Sequence, residues 1–233
     1  MRIPKFEAQK EWIEPSEYPD LRGYDEIAID LETRDEGICS GRGAGWATGH
    51  GNIIGFAVAI EGWQGYYPFK HFGGGNMIPE QVKKYMKDVC ALPCPKIFHN
   101  AQYDVGWLQQ EGFKVNGDII DTMVAAAIVD ENRFSYSLNA LSKDYLGEIK
   151  AETDLIIAAK EHGVDPKGEM WKLPAEYVGF YAEQDARLTY LLWQQFKKEI
   201  IKQSLTTIWE LESNLLPVLI AMRQRGVRVQ VEL

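Results

Sequence analysis

Residues 26–31, Glu26-Ile27-Ala28-Ile29-Asp30-Leu31, read as a buried strand, and Glu32 follows directly. Residues two apart on a strand share a face, so Asp30 and Glu32 point the same way from the strand's end. Two unpaired charges there would be costly. A divalent cation bound through carboxylate oxygens removes that cost. Taken alone, the pair also reads as a strand that ends in solvated acids.

Working outward, 52–60 and 65–69 read as two more strands, joined by short turns into an antiparallel set. Between the first and second, 33–52 is rich in glycine and charge and reads as a loop. Short strands at 96–98 and 118–120 alternate with helices at 80–90, 101–111 and 121–130. Pro79 marks the start of the first of these. Helices at 137–146 and 151–162 follow, then a long one from Pro174 to about 203, and an amphipathic one at 206–225 capped by Gly226. Strands first, then helices with interleaved strands, predict an α/β architecture: three antiparallel strands, then parallel ones, in a mixed sheet covered by helices. Residues 1–24 read as an extended lead-in, 25–203 as the main domain and 204–233 as a C-terminal helix.

The chain has 233 residues, 45% of them hydrophobic, enough for a sizeable core. It has no apolar run of ~18 residues and no apolar stretch near Met1. The expectation is a cytoplasmic protein with no membrane partner and with Cys39, Cys90 and Cys94 as reduced thiols. The net charge of −9 argues against binding along many phosphates, so any nucleic-acid contact must be local and metal-assisted. Such binding is expected to be weak and strongly salt-sensitive.

Two further patterns carry chemistry. His99-Asn100-Ala101-Gln102-Tyr103-Asp104 follows a short strand; Asn100 can cap the helix with its side chain, and Asp104 lies one turn later on the same face. Tyr181 and Asp185 are four apart in the long helix, so a phenol that can orient water neighbours a carboxylate that can bind a cation. Each alone also reads as ordinary helix surface.

In this order, Asp30-x-Glu32, Asn100-x-x-Tyr103-Asp104 and Tyr181-x-x-x-Asp185 resemble the three motifs of DEDD-superfamily exonucleases, in the branch marked by tyrosine. I-A-I-D-L-E-T, F-H-N-A-Q-Y-D and Y-A-E-Q-D-A-R-L-T are similar to the proofreading domain of bacterial DNA polymerase I and its phage relatives. Asp121-Thr122-Met123 and Ser137-Leu138-x-x-Leu141 fit as well. Leu31 stands where the family often has threonine, a position that binds no metal. The resemblance covers about 24–203. It implies a ribonuclease H-like fold, a bacterial or phage-infected cell, and stepwise hydrolysis of a single-stranded DNA 3′ end with two divalent ions, Mg²⁺ or Mn²⁺.

By that resemblance Asp30 bridges both ions, Glu32 and Asp185 complete the first site, Asp104 supports the second, and Tyr181 aligns the attacking water. Leu31, Thr33, Asn100 and Tyr103 are expected to contact substrate. Arg133 would meet a phosphate and Phe134 a base, although the two also read as an exposed loop residue and a core aromatic. The loop 41–51, with Arg42, Trp46 and His50, covers the 3′ end or is a disordered insertion. Glu210 to Val227 looks like the helix leading to a polymerase domain that would be supplied in cis or in trans. Two rivals stay open: an exoribonuclease resembling RNase D, and a non-catalytic module that binds a 3′ end or a polymerase.

Overall fold

The computed structural model describes residues 12–150 and 152–230. Five strands form one sheet in the order β3-β2-β1-β4-β5. They are β1 (Ile27–Arg34), β2 (Asn52–Ile60), β3 (Trp63–Pro68), β4 (Lys96–Phe98) and β5 (Ile119–Asp121). β1 pairs antiparallel with β2 and β2 with β3, while β4 runs parallel to both β1 and β5. This is the mixed sheet that the residue pattern predicts. β1 runs further than expected, to Arg34, through a register shift between Glu32 and Thr33.

The alternation in β1 sorts the two faces. Ile27, Ile29 and Leu31 enter a core with helices α3 (Pro79–Ala91) and α4 (Ala101–Gln110). Ala28 faces the other way, with Ala57 and Ala59 of β2, under the long helix α8 (Ala175–Lys202). Small residues on both sides, Ala182 and Ala186 on the helix among them, let α8 lie close to the sheet. In register, Asp30 sits opposite Ala57 and Glu32 opposite Gly55, so small neighbours leave room around both acids.

The glycine-rich segment between β1 and β2 is ordered, correcting the disordered alternative. It contains two short helices, α1 (Glu36–Cys39) and α2 (Gly45–Thr48). Asp35, itself buried, gathers the segment by accepting bonds from the amides of Gly37, Ile38 and Gly45 at 3.0–3.1 Å. Trp46 is then buried against α4. There Gly106 is required: a Cβ would lie 2.4 Å from the Trp46 ring.

Helices α5 (Thr122–Val129), α6 (Leu138–Leu141), continued by a π-turn at Ser142–Leu146, and α7 (Thr153–His162) complete the α8 side. The lead-in is pinned down from Trp12 onward: Trp12 packs edge-on to Tyr66 at 6.0 Å, and Leu21 is buried. Residues 1–11 lie outside the described residues. The last helix, α9 (Thr206–Arg225), buries Leu216 and Ile220 in the domain core, so it is packed on the body and does not stand apart. Among the described residues no helix is long and apolar enough to cross a membrane.

Behind the acids, β3 supports the sheet through a buried pair. Tyr66 Oη and His71 Nε2 are 2.6 Å apart, and His71 Nδ1 lies 3.1 Å from the Leu173 carbonyl. A carbonyl only accepts, so Nδ1 carries the proton and Tyr66 donates to Nε2. Burial holds the His71 pKa down to about 4. The unfolded chain therefore takes up a proton below about 6.5, which the folded state refuses until about 4, and stability is lost as pH falls through that window. His71→Gln should make the pH dependence of urea-unfolding free energy shallower by up to about 1.4 kcal/mol per pH unit there. Parallel curves for the two proteins would refute the neutral, buried state assigned to His71.

Candidate active site

Asp30 and Glu32 leave β1 on its α8 side, and two helices bring other acids to them. α4 carries Asp104, whose Oδ1 accepts from the Leu31 amide at 3.1 Å. α8 carries Tyr181 and Asp185. Glu32, Asp104 and Asp185 are buried, at 8%, 4% and 5% exposure, too little for water alone to solvate three carboxylates. Asp30 is the hub. Its charge repels Glu32 and Asp104, and Asp185 repels it in turn.

Burial first, then mutual repulsion, raises Asp30 to about 7 and pushes Glu32 and Asp104 well above the carboxylate range. Burial lifts Asp185 to about 6, against the pull of a lysine. Burial and the neighbouring acids also push the Tyr181 phenol well up, so it stays protonated and can hydrogen-bond but not act as a base.

The lysine is Lys150, which sequence reading did not single out. Its Nζ lies 2.6 Å from Asp185 Oδ2 and 2.9 Å from Tyr181 Oη, with the side chain 8% exposed. An ammonium only donates, so the phenol oxygen accepts from Lys150, while its own O–H hydrogen-bonds the Asp185 carboxylate. The other oxygen, Asp185 Oδ1, is buried without a hydrogen-bond partner. An all-carboxylate set with an orphaned buried oxygen fits a hard divalent ion. Among the described residues, no three His, Cys, Asp or Glu side chains already surround one common ion position.

A cavity of about 360 Å³ opens beside the acids, lined by Leu31, Glu32, Thr33, Tyr103 and Tyr181, with Leu155, Ile156 and Met170 opposite. Thr33 Oγ1 and Tyr103 Oη are 2.6 Å apart, and Tyr103 donates to Asp35 Oδ2 at 3.1 Å. Thr33 therefore donates to Tyr103, and the ordered loop is wired to the cavity wall.

The chain matches the family model for the 3′–5′ exonuclease of family A DNA polymerases over residues 13–201. The chain belongs to this 3′–5′ exonuclease family. It is 37% identical over 229 residues to a DNA-directed DNA polymerase of Pseudomonas phage M6, covering 95% of this chain but 34% of that protein. The chain thus spans about a third of that relative's length. Among solved structures, Brucella melitensis NrnC with bound Mg²⁺ matches at TM-score 0.63 and 15% identity, over 89% of each chain. Escherichia coli RNase D, described as an exoribonuclease involved in structured RNA processing, matches at TM-score 0.61 and 15% identity, over 88% of this chain and 47% of that one. These likenesses establish the ribonuclease H-like fold, and the family makes the chain an enzyme, a 3′–5′ exonuclease of the polymerase I type.

One detail of the exonuclease departs from the sequence reading, and the structure places two loop residues. Asn100 makes no side-chain cap. Its backbone is left-handed at φ 67°, and the Asp121 carboxylate holds the turn by accepting from the amides of Asn100 at 3.0 Å and Ala101 at 2.8 Å. That turn aims α4, and with it Asp104, at β1; the Asn100 side chain lines a second cavity with Gln102, Tyr103 and Arg223. Arg133 pairs with Asp144 and lies over the Tyr145 ring at 5.2 Å. Phe134 is fully exposed and belongs to no core, which removes that alternative.

Proposed function

We propose that this exonuclease removes nucleotides one at a time from the 3′ end of single-stranded DNA or a frayed primer, releasing nucleoside 5′-monophosphates. The observation that carries the reading is the meeting of Asp30, Glu32, Asp104 and Asp185, mostly buried and mutually repelling, with Tyr181 at the edge of a nucleotide-sized cavity. Asp30, Glu32, Asp104 and Asp185 would hold two divalent ions, Mg²⁺ or Mn²⁺, which when bound supply a metal-activated water and offset charge at the departing 3′ oxygen. Tyr181 positions that water through its phenol, beside Asp185. Leu31, Thr33 and Tyr103 seat the terminal nucleotide in the cavity, with Asn100 next along the chain.

The DNA assignment is supported by the relative in Pseudomonas phage M6, a DNA-directed DNA polymerase. The polymerase partner, in cis or in trans, is supported by α9: Leu211, Val218 and Met222 are more than half exposed, an apolar strip left uncovered by the body. The fold likeness to RNase D keeps an RNA-trimming reading as the second one. Matched single-stranded DNA and RNA oligonucleotides separate them. The proposal expects faster shortening of DNA from its 3′ end; equal or faster RNA trimming would favour the second reading.

A further inference from the structure

Lys150 stands at the acid cluster, yet neither the family motifs nor the hydrolytic scheme gives it a role. Its ammonium holds Oδ2 of Asp185, the carboxylate assigned to the ion beside the attacking water, and bridges it to Tyr181. It lies 4.4 Å from the centre of the Tyr181 ring, and its charge is felt at Asp30 and Glu32 as well. These are the three acids of one ion site, and they share one buried cation of their own chain.

How the lysine gets there is visible in the backbone. It sits on the irregular segment between the π-turn and α7, which leaves Leu146 through Gly147 at φ 70°. Glu148 pairs with Arg187 of α8, and the Lys150 amide bonds Asn139 Oδ1 at 3.3 Å, so the segment is fastened up to the lysine.

We propose that Lys150 is a tethered counter-ion that competes with the divalent ion for Asp185 and so sets the ion concentration at which this site fills. Lys150 holds Oδ2 while Oδ1 has no partner, so an ion entering at Oδ1 shares the carboxylate with a cation that repels it. While the ion is absent, the lysine neutralises part of the buried negative charge and keeps Asp185 and Tyr181 in place. When the ion enters, the two cations repel across one carboxylate, and this weakens ion binding relative to a site with no internal cation. The inference rests on the two-ion reading above.

The test is calorimetric titration of the full chain with Mn²⁺, for the wild type, Lys150→Met, Lys150→Gln and Lys150→Arg, with Asp30→Ala as a control that should lose binding. Lys150→Met and Lys150→Gln should bind Mn²⁺ tighter by roughly tenfold, within the usual range for coupled sites. They should also melt lower than wild type in chelator and gain more from Mn²⁺. Lys150→Arg, which keeps the cation, should stay near wild type. Unchanged or weaker Mn²⁺ binding in both neutral variants, with wild type binding and Asp30→Ala failing, would overturn the competition and leave the ion site standing. Absence of Mn²⁺ binding by the wild type would overturn both, and would be recognised as failure of the two-ion reading.

Discussion

Asp30→Asn is expected to lose hydrolysis by about 10⁴-fold, the scale seen when one member of an interdependent catalytic set is removed, and yet to be the more stable protein when no divalent ion is present. The two effects share a cause. Asp30 is the carboxylate whose charge bears on both Glu32 and Asp104, and burial with the Asp185 charge raises it to about 7. Its folded pKa lies above its unfolded one, so the folded state holds a proton that the unfolded chain releases. Stability of the metal-free protein therefore falls as pH rises from about 4 to about 7, and the full cost, at most about 4 kcal/mol, is present above that. Asparagine carries no such charge. Some of the gain is offset by an amide that needs partners, leaving about 1–2 kcal/mol, or a melting temperature higher by roughly 3–6 °C for a chain of this size. Saturating Mg²⁺ should reverse the order, because only the wild type is stabilised by binding it. Thermal melts at pH 5 and pH 8, each in chelator and in Mg²⁺, check this. A variant that melts below wild type in chelator at the higher pH would show that the cluster is not under electrostatic strain.

The second large effect lies at Gly55, a position that does no chemistry. Gly55 faces Glu32 across the β1–β2 ladder, and a Cβ there would lie 2.0 Å from Tyr66 Oη and 2.3–2.4 Å from its ring. The ring cannot swing aside freely, since Tyr66 is fully buried and its hydroxyl is bound to His71. Gly55→Ala must either push β2 away from β1 or break the Tyr66–His71 bond. Overpacking and an unsatisfied buried pair each cost about 1–3 kcal/mol, so a loss near 3–4 kcal/mol is expected, with melting lower by roughly 10 °C. Activity should fall too, because Glu32 is on the displaced ladder. In Gly55→Ala combined with Tyr66→Ala the clash disappears, so the double variant should lose clearly less than the sum of the two single ones. A single variant within about 0.5 kcal/mol of wild type would mean that the sheet absorbs the methyl group and that Gly55 is not needed for the site.

The sequence announces the parts of this site that are local. Ile27, Ile29 and Leu31 alternate with Ala28, Asp30 and Glu32, and period two alone places both acids on one face. Tyr181 and Asp185 are one helical turn apart, and Asp104 follows a short strand at a fixed distance. What was illegible depends on contacts between distant residues. Asn100 has the composition of a cap, but Asp121, 21 residues on, takes that work and turns Asn100 left-handed. Asp35 sits in a stretch with no period, and only the fold shows it gathering three amides into an ordered loop. Lys150 lies in a charged, aperiodic run and reaches Asp185 across 35 residues. No pattern of spacing marks such a lysine, because an irregular segment delivers it.

The central claim is that these carboxylates, charged with divalent ions, cut a DNA strand from its 3′ end. It is tested most directly by following a 5′-labelled single-stranded DNA oligonucleotide at single-nucleotide resolution, with wild type and Asp30→Ala, in Mg²⁺ and in chelator. The account predicts a ladder that shortens one nucleotide at a time in Mg²⁺, and an intact strand in chelator and with the variant. An unshortened strand with folded wild type in Mg²⁺, or an equal ladder from Asp30→Ala, would contradict it.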